Sequence, residues 1–269
     1  MPTLVAAGHT LAYEWIDAGG AGKPVLVFLH EGLGSIGQWR DFPARVARAT
    51  GCNALVYDRY GYGQSDVLVE ARRSIRFMHE EALDTLPQVL AALHIESPIL
   101  VGHSDGASIA LIHAGAGHAV RGLALMAPHV FVEPICSHSI VDARTQFEST
   151  DLAQRFGRYH RDARKTFYLW ADVWLDPNFP GWNIEEYLPG VTCPVIALQG
   201  HDDQYGTMAQ LDAIARQVRG PCELVKLDGC GHSPFREQPE ATTDAIVRFV
   251  DSLNADGPDR ARTRSMDAT

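Results

Sequence analysis

The feature that most constrains the fold is a series of short runs in which nearly every residue is apolar. The first run, residues 24–30, contains the unbroken segment Val25-Leu-Val-Phe-Leu29. Runs that are apolar at every position and rich in β-branched and aromatic residues are typical of strands buried on both faces. The same pattern recurs at residues 53–57, 97–101, 123–126 and 194–198. Alternation of polar and apolar residues over 10–16 predicts one further strand.

The segments between these runs have the periodicity of helices. Residues 75–93 carry apolar side chains at mostly three- and four-residue spacing, and residues 209–218 and 241–253 are similar. Short buried strands that alternate with helices form βαβ units. The sequence therefore predicts an α/β fold with a mostly parallel central sheet flanked by helices.

One interval interrupts this alternation. Between Met126 and Pro194 no clear buried strand is visible, and the interval contains five aromatic residues that stand out: Phe167, Tyr168, Trp170, Trp174 and Trp182. It is too long for a plain loop. We therefore predict a small helical cap at residues 130–190, inserted into a core formed by 1–129 and 191–254. The polar, charged tail at 255–269 is predicted to be disordered.

Charge restricts the class of partner. The chain has 33 acidic residues against 23 Lys and Arg, a formal net charge of -10 at pH 7, and no cluster of basic residues. Such a chain repels phosphate backbones and anionic membrane surfaces. We therefore expect a small-molecule substrate and neither nucleic acid nor a membrane as partner. The oligomeric state stays open.

Targeting signals and cysteines bear on the compartment. The first residues contain no basic region followed by an apolar run, and no stretch approaches the roughly 18 apolar residues of a membrane span. The five cysteines are scattered without a paired CxxC spacing, which indicates neither a zinc site nor a disulfide framework. We expect free thiols in a reducing cytoplasm.

The strongest chemical signal is Gly102-His103-Ser104-Asp105-Gly106, which follows the run at 97–101 and precedes a helix-forming stretch at 107–113. Gly-x-Ser-x-Gly between a strand and a helix is typical of a nucleophile elbow. The tight turn requires glycine at both flanks. It exposes the Ser104 hydroxyl at a helix N-terminus, where developing negative charge is favoured.

A serine hydroxyl needs a general base at neutral pH. Of the 12 histidines, His232 stands apart because it follows Gly231 after a strand-like segment at 223–227 and precedes the last helical segment. The third member of a triad is a carboxylate. Asp202 and Asp203 both lie just past the run at 194–198, and spacing alone does not separate them.

Taken together, these motifs resemble the α/β-hydrolase superfamily, in its group of cap-bearing esterases and related hydrolases, over about residues 24–253. The resemblance includes the loop Phe28-Leu-His-Glu-Gly-Leu-Gly-Ser35, the segment Asp58-Arg-Tyr-Gly-Tyr-Gly-Gln-Ser-Asp66 and the order serine, acid, histidine. It implies that the acid is Asp203, the aspartate of Gly-x-x-Asp, rather than Asp202. It also implies His232 as the base.

The resemblance further implies an oxyanion hole formed by the backbone N–H groups of Gly32 and Asp105. Glu31 departs from the family pattern, which usually has glycine at that position. Three interpretations of Glu31 stay open: a hydrogen-bond acceptor that holds the loop, a contact to substrate, or a solvated surface residue.

The predicted function is hydrolysis of a small carboxylic ester through an acyl-enzyme, without cofactor or metal. Serine at position 104 argues against relatives that open epoxides or displace halide, since those use aspartate. Hydrolysis of a C–C bond, a thioester or a lactone is the closest alternative, and a slow-turnover ligand receptor, a lyase or a perhydrolase are further ones. Three aromatic residues are candidates either for the acyl pocket or for packing the cap onto the sheet: Phe167, Trp170 and Trp174.

Overall fold

A sheet of eight strands forms the centre of the computed structural model, which describes residues 1–255. The strands are β1 (Thr3–Ala6), β2 (His9–Ile16), β3 (Leu26–Leu29), β4 (Ala54–Tyr57), β5 (Ile99–His103), β6 (Gly122–Met126), β7 (Val195–Gly200) and β8 (Cys222–Leu227). Their order is β1-β2-β4-β3-β5-β6-β7-β8. Strand β2 pairs antiparallel with both of its neighbours, β1 and β4, and all other pairs are parallel. The predicted mostly parallel sheet is confirmed.

The uninterrupted apolar runs form the middle of this sheet. Every residue of β3, β4, β5, β6 and β7 is buried, as expected for strands covered on both faces. The edge strands β1 and β8 are largely half-buried or exposed. The four-residue β1 was not predicted, because its short sequence carries no run and too few alternations to be recognised.

Ten α-helices occur among the described residues. They are α1 (Phe42–Thr50), α2 (Phe77–Glu80), α3 (Leu86–Ala92), α4 (Asp105–Gly115), α5 (Pro134–Ser149), α6 (Leu152–Phe156), α7 (Ala163–Trp174), α8 (Ala209–Gln217), α9 (Pro234–Glu237) and α10 (Pro239–Ala255). Helices α1 and α10 pack on one face of the sheet, and α3, α4 and α8 pack on the other. The helix predicted at 75–93 consists of α2 and α3, which are joined by one π-helical turn at Glu81–Thr85.

The interval between β6 and β7 is helical. It contains α5, α6 and α7, followed by two 3-10 turns at Phe179–Gly181 and Glu185–Gly190. Glu133, just before α5, accepts hydrogen bonds from Thr207 N–H at 2.9 Å and from Gln210 Nε2 at 2.7 Å. Thr166 of α7 donates to Gly61 O at 2.6 Å. These contacts tie the helices to the core, while the boundaries of a separate cap at 130–190 stay a prediction.

The last described helix is α10, which includes Ala255. Residues 256–269 of the predicted disordered tail lie outside the described residues. Within 1–255, the helices are each too short or too polar to cross a lipid bilayer.

Candidate active site

Ser104 occupies the turn between β5 and α4 in a backbone conformation that side chains rarely adopt, with φ 52° and ψ -119°. The flanking glycines make this turn possible. A Cβ on Gly102 would lie 2.5 Å from the carbonyl oxygen of Gly106, and one on Gly106 would overlap the carbonyl of Leu29. The tight strand–turn–helix geometry predicted for this motif is therefore present.

Ser104, His232 and Asp203 are joined by hydrogen bonds. His232 Nε2 lies 3.0 Å from Ser104 Oγ, and His232 Nδ1 lies 2.9 and 3.0 Å from the two carboxylate oxygens of Asp203. The three residues follow β5, β8 and β7, so they meet at the carboxyl edge of the parallel sheet. The side chain of Asp202 is exposed, and it is Asp203 that contacts the imidazole.

Further donors fix the Asp203 carboxylate. The backbone N–H of Tyr205 donates to Oδ1 at 2.8 Å, and Gln199 Nε2 donates to Oδ2 at 3.3 Å. Burial alone would raise the pKa of Asp203, but the neighbouring His232 and these hydrogen bonds hold it below its ordinary value. Burial would lower the pKa of His232, but Asp203 outweighs that effect and raises it. The two shifts have one cause: the Asp203 carboxylate stabilises the imidazolium that forms when His232 takes up a proton.

Two backbone N–H groups close to Ser104 are free to bind a ligand. Throughout residues 1–255, the N–H groups of Gly32 and Asp105 donate no hydrogen bond to another protein group. Both residues line the cavity that contains Ser104. This arrangement can accept a developing negative charge on a carbonyl oxygen.

A buried arginine holds the loop that carries Gly32. Nη2 of Arg59 donates to the carbonyl oxygen of His30 at 3.2 Å and to that of Glu31 at 2.7 Å. The backbone N–H of Arg59 donates to His30 Nε2 at 3.2 Å. Burial and the Arg59 charge lower the pKa of His30 well below its ordinary value, so the ring stays neutral. Arg59 was missed in the sequence, although it directly follows the aspartate of the Asp58–Asp66 segment.

Glu31 is not a solvated surface residue. Its Oε2 lies 3.1 Å from Nδ1 of the buried His103, and its Oε1 lies 3.8 Å from the guanidinium of Arg236. Burial would raise the pKa of Glu31, but His103 and Arg236 lower it to about 2. The geometry supports the interpretation of Glu31 as an acceptor that holds the loop. Because Glu31 also lines the cavity, a contact to substrate stays open.

Above Ser104 lies a cavity of about 280 Å³ between the sheet edge and the helices α5, α6 and α7. The three aromatic candidates Phe167, Trp170 and Trp174 all line it. They also pack within the protein: the Phe167 ring stacks on Phe147 with a centroid separation of 3.9 Å. The predicted pocket and packing roles therefore coincide at these positions. Other apolar side chains that line the cavity are Leu33, in the loop after β3, and five residues of α5 and α6: Cys136, Ile140, Phe147, Leu152 and Phe156.

Within the described part of the chain, no group of three or more His, Cys, Asp or Glu side chains has the arrangement of a metal site. The five cysteines are free thiols, and Cys136 alone among them lines the cavity.

Comparison with known proteins identifies relatives. The model of the alpha/beta hydrolase family matches residues 26–245. The chain is 30% identical over 217 residues to the sn-1-specific diacylglycerol lipase ABHD11 of Danio rerio, a match that covers 79% of this chain and 61% of that protein. The chain thus spans less than two thirds of that relative's length.

Solved structures share the fold at low sequence identity. A structure from work on carboxylesterases of Nitrososphaera gargenis has a TM-score of 0.78 at 18% identity and covers 95% of this chain and 100% of its own. An enol-lactonase from Burkholderia xenovorans LB400 has a TM-score of 0.73 at 18% identity and covers 93% of this chain and 100% of its own. The family model matches most of the chain, and the sheet and the turn at Ser104 agree with it, so the chain belongs to the alpha/beta hydrolase family.

Proposed function

We propose that the protein hydrolyses small carboxylic esters through an acyl-enzyme formed on Ser104. The observation that carries this proposal is the unbroken series of contacts from Ser104 Oγ through His232 to the Asp203 carboxylate. Two free N–H groups beside the hydroxyl, those of Gly32 and Asp105, support it further. A nucleophile, a base, an orienting acid and an oxyanion hole are together the requirements of acyl transfer.

Each group has one task in this mechanism. His232 Nε2 accepts the Ser104 proton while Oγ attacks the ester carbonyl, and Asp203 stabilises the imidazolium that forms. The N–H groups of Gly32 and Asp105 bind the oxyanion of the tetrahedral intermediate. The C–O bond to the alcohol then breaks, and the alcohol leaves with the proton from His232. A water molecule, deprotonated by His232, attacks the acyl-enzyme and releases the acid with regeneration of Ser104.

The size of the cavity favours a small acyl group. Its volume of about 280 Å³ is at or below the low end of the range for pockets that bind drug-sized ligands. The comparisons with a lipase and with carboxylesterases are consistent with an ester as substrate. The same groups are compatible with thioesters, lactones and activated C–C bonds, so the substrate panel must include them.

The test is labelling with a fluorophosphonate, followed by turnover of p-nitrophenyl esters of increasing acyl length beside thioesters and lactones. We expect one label on Ser104 and fastest turnover of short acyl esters. Ser104→Ala should lose the label and on the order of a million-fold in rate. Activity of Ser104→Ala within tenfold of the parent would overturn the proposal. A single burst of product without further turnover would favour the ligand-receptor alternative.

A further inference from the structure

Four buried polar atoms that have no hydrogen-bond partner among residues 1–255 belong to residues that line the cavity above Ser104. They are Asp105 Oδ2, His129 Nδ1, Trp170 Nε1 and Trp174 Nε1. The exposed fractions of these residues are only 1%, 2%, 6% and 3%. Buried polar groups in folded proteins almost always have a partner, and exceptions call for an explanation. Because all four line one cavity, a ligand in that cavity is the natural partner.

Two of these atoms lie close to each other against Gly32. A Cβ built on Gly32 would overlap Trp170 Nε1 and would lie 2.8 Å from Asp105 Oδ2. An indole N–H and a carboxyl oxygen therefore both pack against the Cα of Gly32. The same two residues, Gly32 and Asp105, supply the free backbone N–H groups described above. The two side-chain atoms thus lie next to the N–H groups that would bind the substrate carbonyl oxygen.

The chemistry of these atoms selects one kind of ligand group. An indole N–H only donates, and a carboxylate only accepts. A hydroxyl group satisfies both, since its oxygen accepts from Trp170 while its proton is donated to Asp105. An ammonium group only donates and would leave the indole N–H unpaired. A ketone or carboxylate oxygen only accepts and would leave the Asp105 oxygen without a donor. An alkyl group would leave both atoms unpaired.

We propose that Asp105 and Trp170 bind a hydroxyl group of the substrate acyl chain, one or two carbons from the reacting carbonyl, so that the substrates are hydroxyacyl esters. This inference rests on the proposed function, because Ser104 and the two N–H groups fix where the carbonyl lies. The rest of the acyl chain would extend along the apolar wall formed by Ile140, Phe147 and Phe156.

The hydroxyl group would also aid the reaction. Burial raises the pKa of Asp105, whereas the charge of Arg59 lowers it, and the carboxyl accepts no hydrogen bond from the protein within the described residues. An unscreened carboxylate beside an oxyanion opposes the charge that develops in the transition state. A substrate hydroxyl that donates to Asp105 spreads this charge away from the oxyanion. The preference should therefore affect kcat as well as KM.

The experiment measures kcat/KM for ethyl hexanoate and for its 2-hydroxy, 3-hydroxy and 2-methoxy derivatives. Each kcat/KM value is divided by the rate of alkaline hydrolysis of the same ester, which corrects for differences in intrinsic reactivity. We expect the parent to prefer one hydroxy ester over hexanoate by at least about 100-fold, because a site built to hydrogen-bond a hydroxyl strongly rejects analogues without it. The methoxy ester accepts but does not donate, so it should be nearly as poor as hexanoate.

Variants assign the preference to the two side chains. Trp170→Phe removes the indole N–H, and Asp105→Asn removes the carboxylate while keeping the backbone N–H; each should reduce the hydroxyl preference about tenfold or more. Trp182→Phe is the matched control, since its indole nitrogen is also unpartnered but does not border the cavity. It should leave the preference unchanged. Melting temperatures of all variants establish that they fold.

The outcomes separate this inference from the proposed function. If the parent is labelled on Ser104 and hydrolyses hexanoate as well as its hydroxy derivatives, the inference is wrong and the proposed function stands. A hydroxyl preference that survives in both Trp170→Phe and Asp105→Asn would also overturn it. If a variant does not fold, the parent enzyme still tests the inference: kcat/KM for the hydroxy ester must exceed the values for the methoxy and the unsubstituted ester. An enzyme that neither takes the label nor hydrolyses any ester would overturn the proposed function, and the inference with it.

Discussion

Glu31 Oε2 lies 3.1 Å from Nδ1 of His103, while Nε2 of the same ring donates to the carbonyl oxygen of His232 at 2.7 Å. Both atoms that face the imidazole are hydrogen-bond acceptors. The contacts of His103 connect the loop after β3, the residue before Ser104 and the loop of His232. Glu31 therefore acts as a positioning residue for the groups around Ser104.

Glu31→Gln should lower both stability and turnover. Removing one partner of a buried ion pair lowers the free energy of unfolding by about 3–5 kcal/mol. Because the Glu31 side chain is 18% exposed, the loss in Glu31→Gln should be at or below the low end of that range. Thermal unfolding across pH tests this. The pKa of Glu31 is lowered to about 2 from 4.5, so its contribution is full above pH 4.5 and is lost as the pH falls towards 2. The difference in melting temperature between parent and variant should shrink over that window; a constant difference would contradict the ion pair.

Asp203→Asn should be far more damaging than Asp202→Asn. Asp203 is buried and contacts both the imidazole and Tyr205 N–H, whereas the Asp202 side chain is exposed. Loss of the orienting carboxylate typically lowers kcat about 10⁴-fold. Steady-state kinetics on a p-nitrophenyl ester measures both variants, with Asp202→Asn as the matched control. A larger loss for Asp202→Asn would mean that the acid is misassigned.

The pH dependence of kcat/KM should report the raised pKa of His232. A general base must be neutral, so activity rises as the pH increases through the pKa of His232 in the free enzyme. Asp203 is the main group that raises this pKa, and Glu31 and Asp105 contribute. The acidic limb should therefore have its midpoint above the ordinary histidine value of 6.5. In Glu31→Gln the midpoint should move to lower pH. A midpoint below 6.5 in the parent would argue against His232 as the base.

Phe167→Ala should change acyl selectivity. Phe167 is buried and lines the cavity, so its truncation enlarges the acyl site and should raise kcat/KM for bulky esters relative to short ones by roughly 10- to 200-fold. Phe179→Ala is the control, because Phe179 is equally buried and packs on Trp174 without bordering the cavity. Both variants should lose stability by about 3–5 kcal/mol. Equal losses for all esters in Phe167→Ala would indicate a packing role alone.

The sequence predicted the parts of the fold that local pattern determines. The central strands were found because burial on both faces makes every position apolar, and the Ser104 turn was found because its geometry demands glycine on both sides. Two features have no local sequence pattern because they depend on contacts between distant segments. Asp203 was predicted as the acid only through the family resemblance, and Arg59 was not predicted. The choice between Asp202 and Asp203 depends on where one carboxylate meets an imidazole 29 residues away. The buried position of Arg59, which contacts a loop 28 and 29 residues earlier, has no local pattern.

The hydrogen bond between His232 and Ser104 spans 128 residues of sequence, across strands β6, β7 and β8. It can form only when those strands lie side by side with β5 in the correct register. Pairing of segments so far apart in the chain is slow compared with helix formation. Recovery of esterase activity after dilution from denaturant should therefore follow the slowest kinetic phase and lag behind the far-ultraviolet circular dichroism signal. Turnover would thus measure the fraction of molecules in which the whole sheet is assembled, a property that secondary-structure content does not report.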